Sequence, residues 1–207
     1  MPTRPIETVL LIVAHPDDET LWAGGTILLH PEWKCYVISI CRGGDTERAQ
    51  RFRKALEILK ADGTMADLDD GPDQIPLSPQ ELESTILDLV PNIPFDLLIT
   101  HHPKGEYTHH LRHEEVSKAV IHLWNEDKIA ATKLCTFAYQ DADGAHFPEA
   151  MKDAGIFTFL PLEIWNQKYE ILTQTYGFAP VSWEAKACPK TEAFIQIQHP
   201  ISDEIPT

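Results

Sequence analysis

Residues 8–19 read TVLLIVAHPDDE, and this stretch decides the fold. The run TVLLIVA is apolar and rich in β-branched side chains, which is typical of a strand buried on both faces. Such strands belong to parallel sheets that are covered by helices on both sides. The run ends in HPDDE, so the strand leads directly into histidine and acidic residues. The stretch predicts an α/β fold with polar chemistry at the carboxyl end of its first strand.

The rest of the chain alternates helical patterns with further short apolar runs. The predicted strands are KCYVISIC (34–41), a short edge strand near residues 65–68, FDLLIT (95–100) and KLCTFAYQ (133–140). The predicted helices cover residues 19–29, 46–63, 78–90, 113–124 and 161–177. This alternation predicts one domain over residues 1–207, with a Rossmann-like, doubly wound, mostly parallel sheet of strand order 3-2-1-4-5.

That order makes the strands over 9–14 and 95–100 neighbours at the point where the winding of the sheet reverses. Ligands in such sheets bind just outside the carboxyl ends of the strands at this point. The segments that follow the two strands are HPDDE and HHPKGEYTHHLRH. The predicted fold therefore brings together the two stretches that are richest in histidine and acid.

Charge and composition exclude several classes of function. The 17 Lys and Arg residues stand against 32 Asp and Glu, for a net charge of −15, which repels nucleic acid and anionic lipid. No apolar run approaches the roughly 20 residues of a membrane span, and the N-terminus lacks a signal peptide. The four cysteines form no CxxC pair. We therefore expect a cytoplasmic protein without a nucleic-acid or membrane partner.

The turn after the first predicted strand argues against a nucleotide-binding site and for a metal-binding site. A dinucleotide-binding protein would carry GxGxxG here, whereas this chain has Asp17, Asp18 and Glu19, which repel phosphate. NAD and ATP are therefore disfavoured. Acidic residues also cap helix N–H groups, which accounts for one or two of the three. His15 beside them and the second histidine cluster favour zinc, because a catalytic zinc needs three such ligands and an open position.

The second cluster, GEYTHHLRHEEV (105–116), contains two histidine pairs with helical spacing. His109 precedes His113 by four positions and His110 precedes it by three. Either spacing places two rings on one face of a helix, so the stretch by itself leaves both registers open.

AHPDDE (14–19) after the first strand and GEYTHHLRHEEV (105–116) after the fourth carry a resemblance to a known family. They resemble the motifs of the zinc-dependent N-deacetylases that include N-acetylglucosaminyl-phosphatidylinositol de-N-acetylase (PIG-L) and the bacterial LmbE-like proteins. The second motif is similar to the family's Gly-Glu-Tyr-Gly-His-x-x-His, with one extra residue after the tyrosine. The resemblance covers roughly the first 125 residues and implies a single LmbE-like domain.

The resemblance implies a role for each residue of the two motifs. His15, Asp18 and His113 correspond to the zinc ligands, and Asp17 corresponds to the general base. His110 corresponds to the group that polarises the carbonyl and protonates the leaving amine, a task that suits a histidine with a pKa near 6.5. The metal is zinc, with Fe²⁺ as an alternative in the cell.

Substrate contacts follow from the same resemblance. Tyr107 corresponds to an assisting residue, and Arg48 corresponds to the arginine of an Arg-x-x-Glu motif that holds sugar hydroxyls. Arg51 stands where the glutamate of that motif is expected. The family spacing of three favours His110 over His109, which is then expected on an exposed loop.

The function implied is a zinc-dependent N-deacetylase that releases acetate from an N-acetylated amino sugar, of the N-acetylglucosamine type, or a glycoconjugate. The alternatives are an amidase acting on another small sugar-linked amide and a non-catalytic module that binds metal or sugar. The expected partner is a small-molecule N-acetylated sugar. The oligomeric state stays open, with a homo-oligomer among the alternatives.

Other candidate residues are interpreted as structural. His101 and His102 directly follow a strand, where they could support the metal ligands or be merely solvated, and the sequence favours solvation. The acidic stretch 67–73 fails the calcium-loop pattern and is interpreted as a solvated loop. Core packing is favoured over sugar stacking for four tryptophans: Trp22, Trp124, Trp165 and Trp183.

Overall fold

The structure is a computed structural model that describes residues 6–107 and 110–199. Its strands are β1 Thr8–Val13, β2 Lys34–Cys41, β3 Asp62–Leu68, β4 Leu97–Thr100, β5 Leu134–Phe137, β6 Tyr139–Gln140, β7 Glu149–Ala150, β8 Ile156–Phe159 and β9 Thr191–Ile197. Its helices are α1 Asp18–Leu29, α2 Thr46–Leu59, α3 Pro79–Leu89, α4 Leu111–Asn125, α5 Leu162–Glu170, a π-helical segment Ile171–Thr175 and α6 Trp183–Ala187. Within the described ranges, no helix has the length and apolar character that crossing a membrane requires.

The main sheet has the strand order β3-β2-β1-β4-β5-β9-β8. The first five strands in this order are parallel, whereas β9 runs antiparallel to both of its neighbours. This confirms the predicted doubly wound sheet and its order 3-2-1-4-5, including the edge strand β3. The two further strands were not predicted, and neither was the small β6–β7 sheet.

β1 is buried on both faces, as its apolar run predicted. Val9, Leu11 and Val13 pack in one core cluster with residues of α1 and α2. Leu10 and Ile12 pack on the opposite face in a second cluster with residues of α3 and α4. The helical layers on both faces leave the carboxyl end of the strand as the place where polar side chains emerge.

The predicted end of the second helix was wrong. The pattern ended it at Gly63, but α2 ends at Leu59 and Lys60 takes the left-handed conformation with φ 55°. Gly63 lies in β3, where an added Cβ would stand 2.4 Å from the carbonyl oxygen of Val37. The glycine is therefore required by the close approach of β3 to β2, and it does not terminate the helix.

A buried ion pair ties α1 to the last strands. The Glu192 carboxylate accepts hydrogen bonds from the backbone N–H groups of Gly25 (2.8 Å) and Thr26 (2.6 Å). Lys168 Nζ of α5 lies 2.7 Å from Glu192 Oε1, and both side chains are fully buried. At Gly25 an added Cβ would stand 2.4 Å from Leu160 Cδ1, so a larger residue would require the Leu160 side chain to move.

Replacing Lys168 with methionine should destabilise the protein by about 3–5 kcal/mol, because it leaves the Glu192 carboxylate buried without its cation. The free energy of unfolding, measured by urea titration, is the readout. Lys118→Met is the matched control, because the Lys118–Glu114 pair is on the surface, with the lysine side chain 64% exposed. The control should lose less than about 1 kcal/mol. Equal losses in the two variants would contradict the role of the buried pair.

Candidate metal centre

The carboxyl ends of β1 and β4 lie side by side in the sheet and frame a cavity of about 180 Å³. β1 leads into the turn before α1, and β4 leads into the segment before α4. The cavity is lined by His15, Pro16, Asp17, Asp18, Leu21, Arg42, Arg48, Asp70, Tyr107, His110, Trp183 and Glu184. A larger cavity of about 750 Å³ lies elsewhere, near the opposite ends of β4 and β5, and the titratable cluster is in the smaller one.

Three predicted site residues form a nearly equilateral triangle of donor atoms. His15 Nδ1 lies 3.3 Å from Asp18 Oδ2 and 3.3 Å from His113 Nε2. His113 Nε2 lies 3.4 Å from Asp18 Oδ2. A tetrahedral zinc with bonds of about 2.0–2.1 Å separates its ligand atoms by about 3.3–3.4 Å. Two imidazoles and one carboxylate at this spacing fit a zinc ion that keeps a fourth position open.

The turn that carries the two aspartates has a strained backbone. Asp17 has φ 134° and ψ −26°, in a region that favours glycine. Its backbone N–H donates to Glu19 Oε2 at 3.0 Å, and Glu19 Oε1 accepts a hydrogen bond from the Tyr176 hydroxyl at 2.7 Å. Glu19 is fully buried. Glu19 thus holds the turn that brings both Asp17 and Asp18 to the cavity.

The adjacent carboxyls of Asp17 and Asp18 differ in proton affinity. Burial, followed by the negative charge of Asp18, raises the pKa of Asp17 well above its usual range. Burial also favours the protonated form of Asp18, but the neighbouring imidazoles of His113 and His101 outweigh it and hold the pKa of Asp18 well below its usual range. Asp18 therefore stays ionised, whereas Asp17 has the higher affinity for a proton.

A fully buried glutamate, Glu106, orients two histidines. Glu106 Oε2 accepts hydrogen bonds from the Nδ1 atoms of His101 (3.0 Å) and His113 (2.6 Å), and its Oε1 accepts one from the backbone N–H of His102 (2.8 Å). His101 Nε2 accepts a hydrogen bond from the backbone N–H of Ala14 at 2.9 Å, so its lone pair is already used. His113 keeps its Nε2 for the triangle.

These contacts correct one prediction and add a residue. His101 was expected to be solvated, but it is fully buried, because its ring is enclosed by Ala14, Glu106 and Phe137. His102 is half-buried. Glu106 was not predicted as part of the site, although it lies within the motif GEYTHHLRHEEV. Its place among the histidines was visible in the sequence, but its burial, which makes it need hydrogen-bond donors, was not.

The acidic loop was also wrongly interpreted as wholly solvated. Asp70 Oδ1 lies 3.2 Å from His15 Nε2, on the opposite side of the ring from the triangle. The loop is held by the buried Arg112, whose Nε donates to the Asp69 carbonyl (2.6 Å) and whose Nη2 donates to the Ile75 carbonyl (2.7 Å). The edge strand β3 leads into this loop at the carboxyl end of the sheet, which brings Asp70 to the cavity.

His110 and Tyr107 lie beside the triangle. The His110 ring stacks on the His113 ring, with 4.0 Å between the ring centroids. The centroid of the Tyr107 ring lies 5.5 Å from that of His110. Burial and the neighbouring His113 lower the pKa of His110 to about 3, so it is neutral at neutral pH, in contrast to the value near 6.5 expected from sequence. His110 Nδ1 is buried without a hydrogen-bond partner among the described residues. The alternative register through His109 lies outside the described residues.

The two arginines of α2 have different surroundings. Arg48 lines the cavity, with its Nη1 3.8 Å from Asp17 Oδ2 and its guanidinium 5.2 Å from the centre of the Phe178 ring. Arg51, which stands where the glutamate was expected, donates to the Tyr176 carbonyl and pairs with Glu47. The Arg51 side chain therefore makes a structural contact. No carboxylate of α2 is among the residues that line the cavity.

The C-terminal half of the chain contributes to the cavity through α6. Trp183 and Glu184 both line it, and the Trp183 ring lies 4.6 Å from the Tyr107 ring. Core packing was predicted for Trp183, but this residue is 37% exposed. Trp22 and Trp124 are buried, as predicted. Trp183 differs because α6 lies at the mouth of the cavity.

Three solved structures are similar in fold. N,N′-diacetylchitobiose deacetylase from Pyrococcus horikoshii matches with a TM-score of 0.70 at 14% identity, over 93% of this chain and 84% of that one. GalB, the 4-carboxy-2-hydroxymuconate hydratase from Pseudomonas putida KT2440, matches with a TM-score of 0.63 at 17% identity, over 97% of this chain and 100% of that one. The zinc-inhibited form of teicoplanin deacetylase Orf2 matches with a TM-score of 0.61 at 14% identity, over 82% and 84%. At these identities the likeness establishes the fold.

Sequence comparison establishes the family. The uncharacterized protein L374 of Acanthamoeba polyphaga mimivirus is 26% identical over 130 residues, which cover 55% of this chain and 56% of that protein. The chain thus spans little more than half the length of this curated relative. A family model described as GlcNAc-PI de-N-acetylase (PIG-L) matches residues 10–124, a range that contains both histidine-rich motifs and the strands that lead into them. The chain belongs to the GlcNAc-PI de-N-acetylase (PIG-L) family.

Proposed function

We propose that the protein is a zinc-dependent hydrolase that removes the acetyl group from an N-acetylated amino sugar, or from a glycoconjugate that carries one. The observation that carries this proposal is the triangle of His15, Asp18 and His113, with donor atoms 3.3–3.4 Å apart, beside the unligated carboxylate of Asp17. A module that only binds metal or sugar needs no such base. Zinc is the proposed metal, with Fe²⁺ as the alternative in the cell.

The reaction converts an amide and a water molecule into a free amine and acetate. His15, Asp18 and His113 would hold the zinc ion, which would supply a Lewis acid for the water and the amide carbonyl. Asp17, with its raised proton affinity, accepts the proton of the attacking water. His110, as a neutral imidazole, donates an N–H hydrogen bond to the carbonyl oxygen as negative charge develops there. The proton held at Asp17 then passes to the leaving nitrogen, directly or by way of His110.

His110→Ala should keep its zinc but lose at least ~10²-fold in kcat, the usual scale for removing an acid or an oxyanion donor. His109→Ala is the matched control and should change kcat less than about threefold, because the family spacing of three assigns the role to His110 and none to His109. Both kcat and zinc content are measured for the two variants under the same conditions. A large loss of kcat in His109→Ala, together with an unchanged kcat in His110→Ala, would show that the functional histidine is one residue earlier than assigned.

Glu106→Gln should weaken zinc binding by about 10–100-fold, the usual cost of losing the group that orients a metal-binding histidine. The Glu106 carboxylate accepts three hydrogen bonds, and a glutamine amide cannot accept at both of its ends. Competition with a chelator gives the affinity. Glu114→Gln, a change to a half-buried surface carboxylate of α4, is the control and should bind zinc normally. Unchanged affinity in Glu106→Gln would contradict the positioning role.

The decisive experiment combines metal analysis with acetate release from a panel of N-acetylated sugars, including N-acetylglucosamine. Stoichiometric zinc and acetate release that depends on Asp17 would support the proposal. Release of another acid from a sugar-linked amide, without release of acetate, would favour the amidase alternative. Because a hydratase shares the fold, zinc binding with no amide hydrolysis at all would overturn the proposal.

A further inference from the structure

Two residues of α6, which lies outside the two motifs, line the cavity. The Ser182 hydroxyl accepts a hydrogen bond from the backbone N–H of Ala185 at 3.3 Å, and Ala185 and Ala187 are buried. These contacts fix α6 against the rest of the domain. The two side chains that it presents to the cavity, Trp183 and Glu184, are therefore held in place.

Trp183 offers an aromatic surface at the mouth of the cavity. Its ring centroid lies 4.6 Å from that of Tyr107 and 6.4 Å from that of Trp22, so two aromatic rings support it. The residue is nevertheless 37% exposed. A supported, partly exposed indole is a suitable surface for the apolar face of a sugar ring.

Among the described residues, Glu184 is the cavity carboxylate without a hydrogen bond or an ion pair, although its negative charge contributes to the raised pKa of Tyr107. Asp18 accepts hydrogen bonds from His15 and Trp22, Asp70 contacts His15, and Asp17 faces Arg48. Glu184 is half-buried, and across residues 6–107 and 110–199 it forms neither a hydrogen bond nor an ion pair. A half-buried carboxylate with free acceptor atoms suits a hydroxyl donor.

We infer that Trp183 and Glu184 form a saccharide subsite, with the indole under one face of the sugar ring and the carboxylate accepting hydrogen bonds from ring hydroxyls. This inference rests on the proposed function. The cavity, at about 180 Å³, is smaller than the roughly 300–1,000 Å³ of ordinary ligand pockets, so it admits one ring.

The subsite also defines a substrate class. A carboxylate that accepts from hydroxyls favours an uncharged sugar ring and repels a ring with an anionic group at the same position. The preferred substrate is therefore an N-acetylated sugar whose ring hydroxyls near Glu184 are free, with any further group outside the cavity.

The test measures binding of N-acetylglucosamine by calorimetry in zinc-loaded Asp17→Asn, which is expected to bind without turnover. Adding Glu184→Gln or Trp183→Ala should weaken binding at least tenfold, whereas Glu57→Gln, at an exposed position of α2, should leave it unchanged. Trp183→Phe should recover part of the affinity lost in Trp183→Ala. Sugars that lack one ring hydroxyl identify the donor, because Glu184→Gln should no longer discriminate against the one whose missing hydroxyl contacts Glu184.

The outcomes separate this inference from the proposed function. Acetate release by the wild-type protein, with binding by Glu184→Gln and Trp183→Ala within threefold of the parent, would overturn the subsite and leave the function standing. Weaker binding in both variants, without acetate release from any sugar, would support the subsite and overturn the function. Zinc content and circular dichroism of each variant establish that it is folded.

Discussion

Purified His113→Ala should contain little zinc and show almost no activity. Removing one corner of the triangle leaves His15 and Asp18, and two protein ligands hold zinc poorly. We expect zinc well below one equivalent by elemental analysis and a loss of activity beyond that of any other single change proposed here. The same result is expected for His15→Ala and Asp18→Ala.

His122→Ala is the matched control for the ligand prediction. His122 lies on the same helix as His113, but its side chain is 57% exposed and points away from the cavity. Zinc content and turnover should both stay at the wild-type level. Stoichiometric zinc in His113→Ala would show that the triangle is not the metal site.

Asp17→Asn should keep its zinc and lose about 10²–10⁴-fold in turnover, because the change removes a base but leaves the shape of the side chain. Asparagine has the same size and branching as aspartate, so the change adds no new clash at the strained backbone of φ 134°. Zinc content and kcat are measured on the same preparation. Retention of zinc with loss of turnover distinguishes a base from a ligand.

Asp88→Asn controls for the loss of one negative charge, because Asp88 is exposed on α3. It should turn over at the wild-type rate. If Asp17→Asn also kept near-normal turnover, the group that takes the proton of water would have to be another residue, and the assignment drawn from the HPDDE motif would be wrong.

The sequence was sufficient to predict the parallel part of the main sheet and the meeting of the two motifs. The apolar run of β1 and the alternation of strands with helices predicted the order 3-2-1-4-5, and this order predicted that His15 and His113 would lie together. These signals are local or topological, since burial on both faces shows as a run of apolar residues. The roles assigned to the individual residues stay predictions.

The supporting residues could not be predicted in the same way. Asp70 is 55 positions from His15, and Glu184 lies on a helix outside the two motifs, so no periodicity marks their approach to the cavity. Glu106 is close in sequence to His101 and His113, but no pattern in the sequence shows that its carboxylate is buried between them. His101 illustrates the difficulty, because only its hydrogen bonds to Glu106 and Ala14 distinguish a buried ring from a solvated one. The antiparallel strand β9 was missed for a related reason: it is placed by pairing with β5 and β8.

The hydrogen bond from Tyr176 to Glu19 bears on how far this domain can be shortened. Residues 10–124 contain both motifs, yet the tyrosine that anchors Glu19, and through it the strained turn at Asp17, lies just after the π-helical segment. Strained backbone persists only where its surroundings hold it. A fragment cut after α4 would free the turn to relax and would carry the motifs without their geometry. The unit that evolution can transfer between proteins as a working module therefore extends at least to Tyr176.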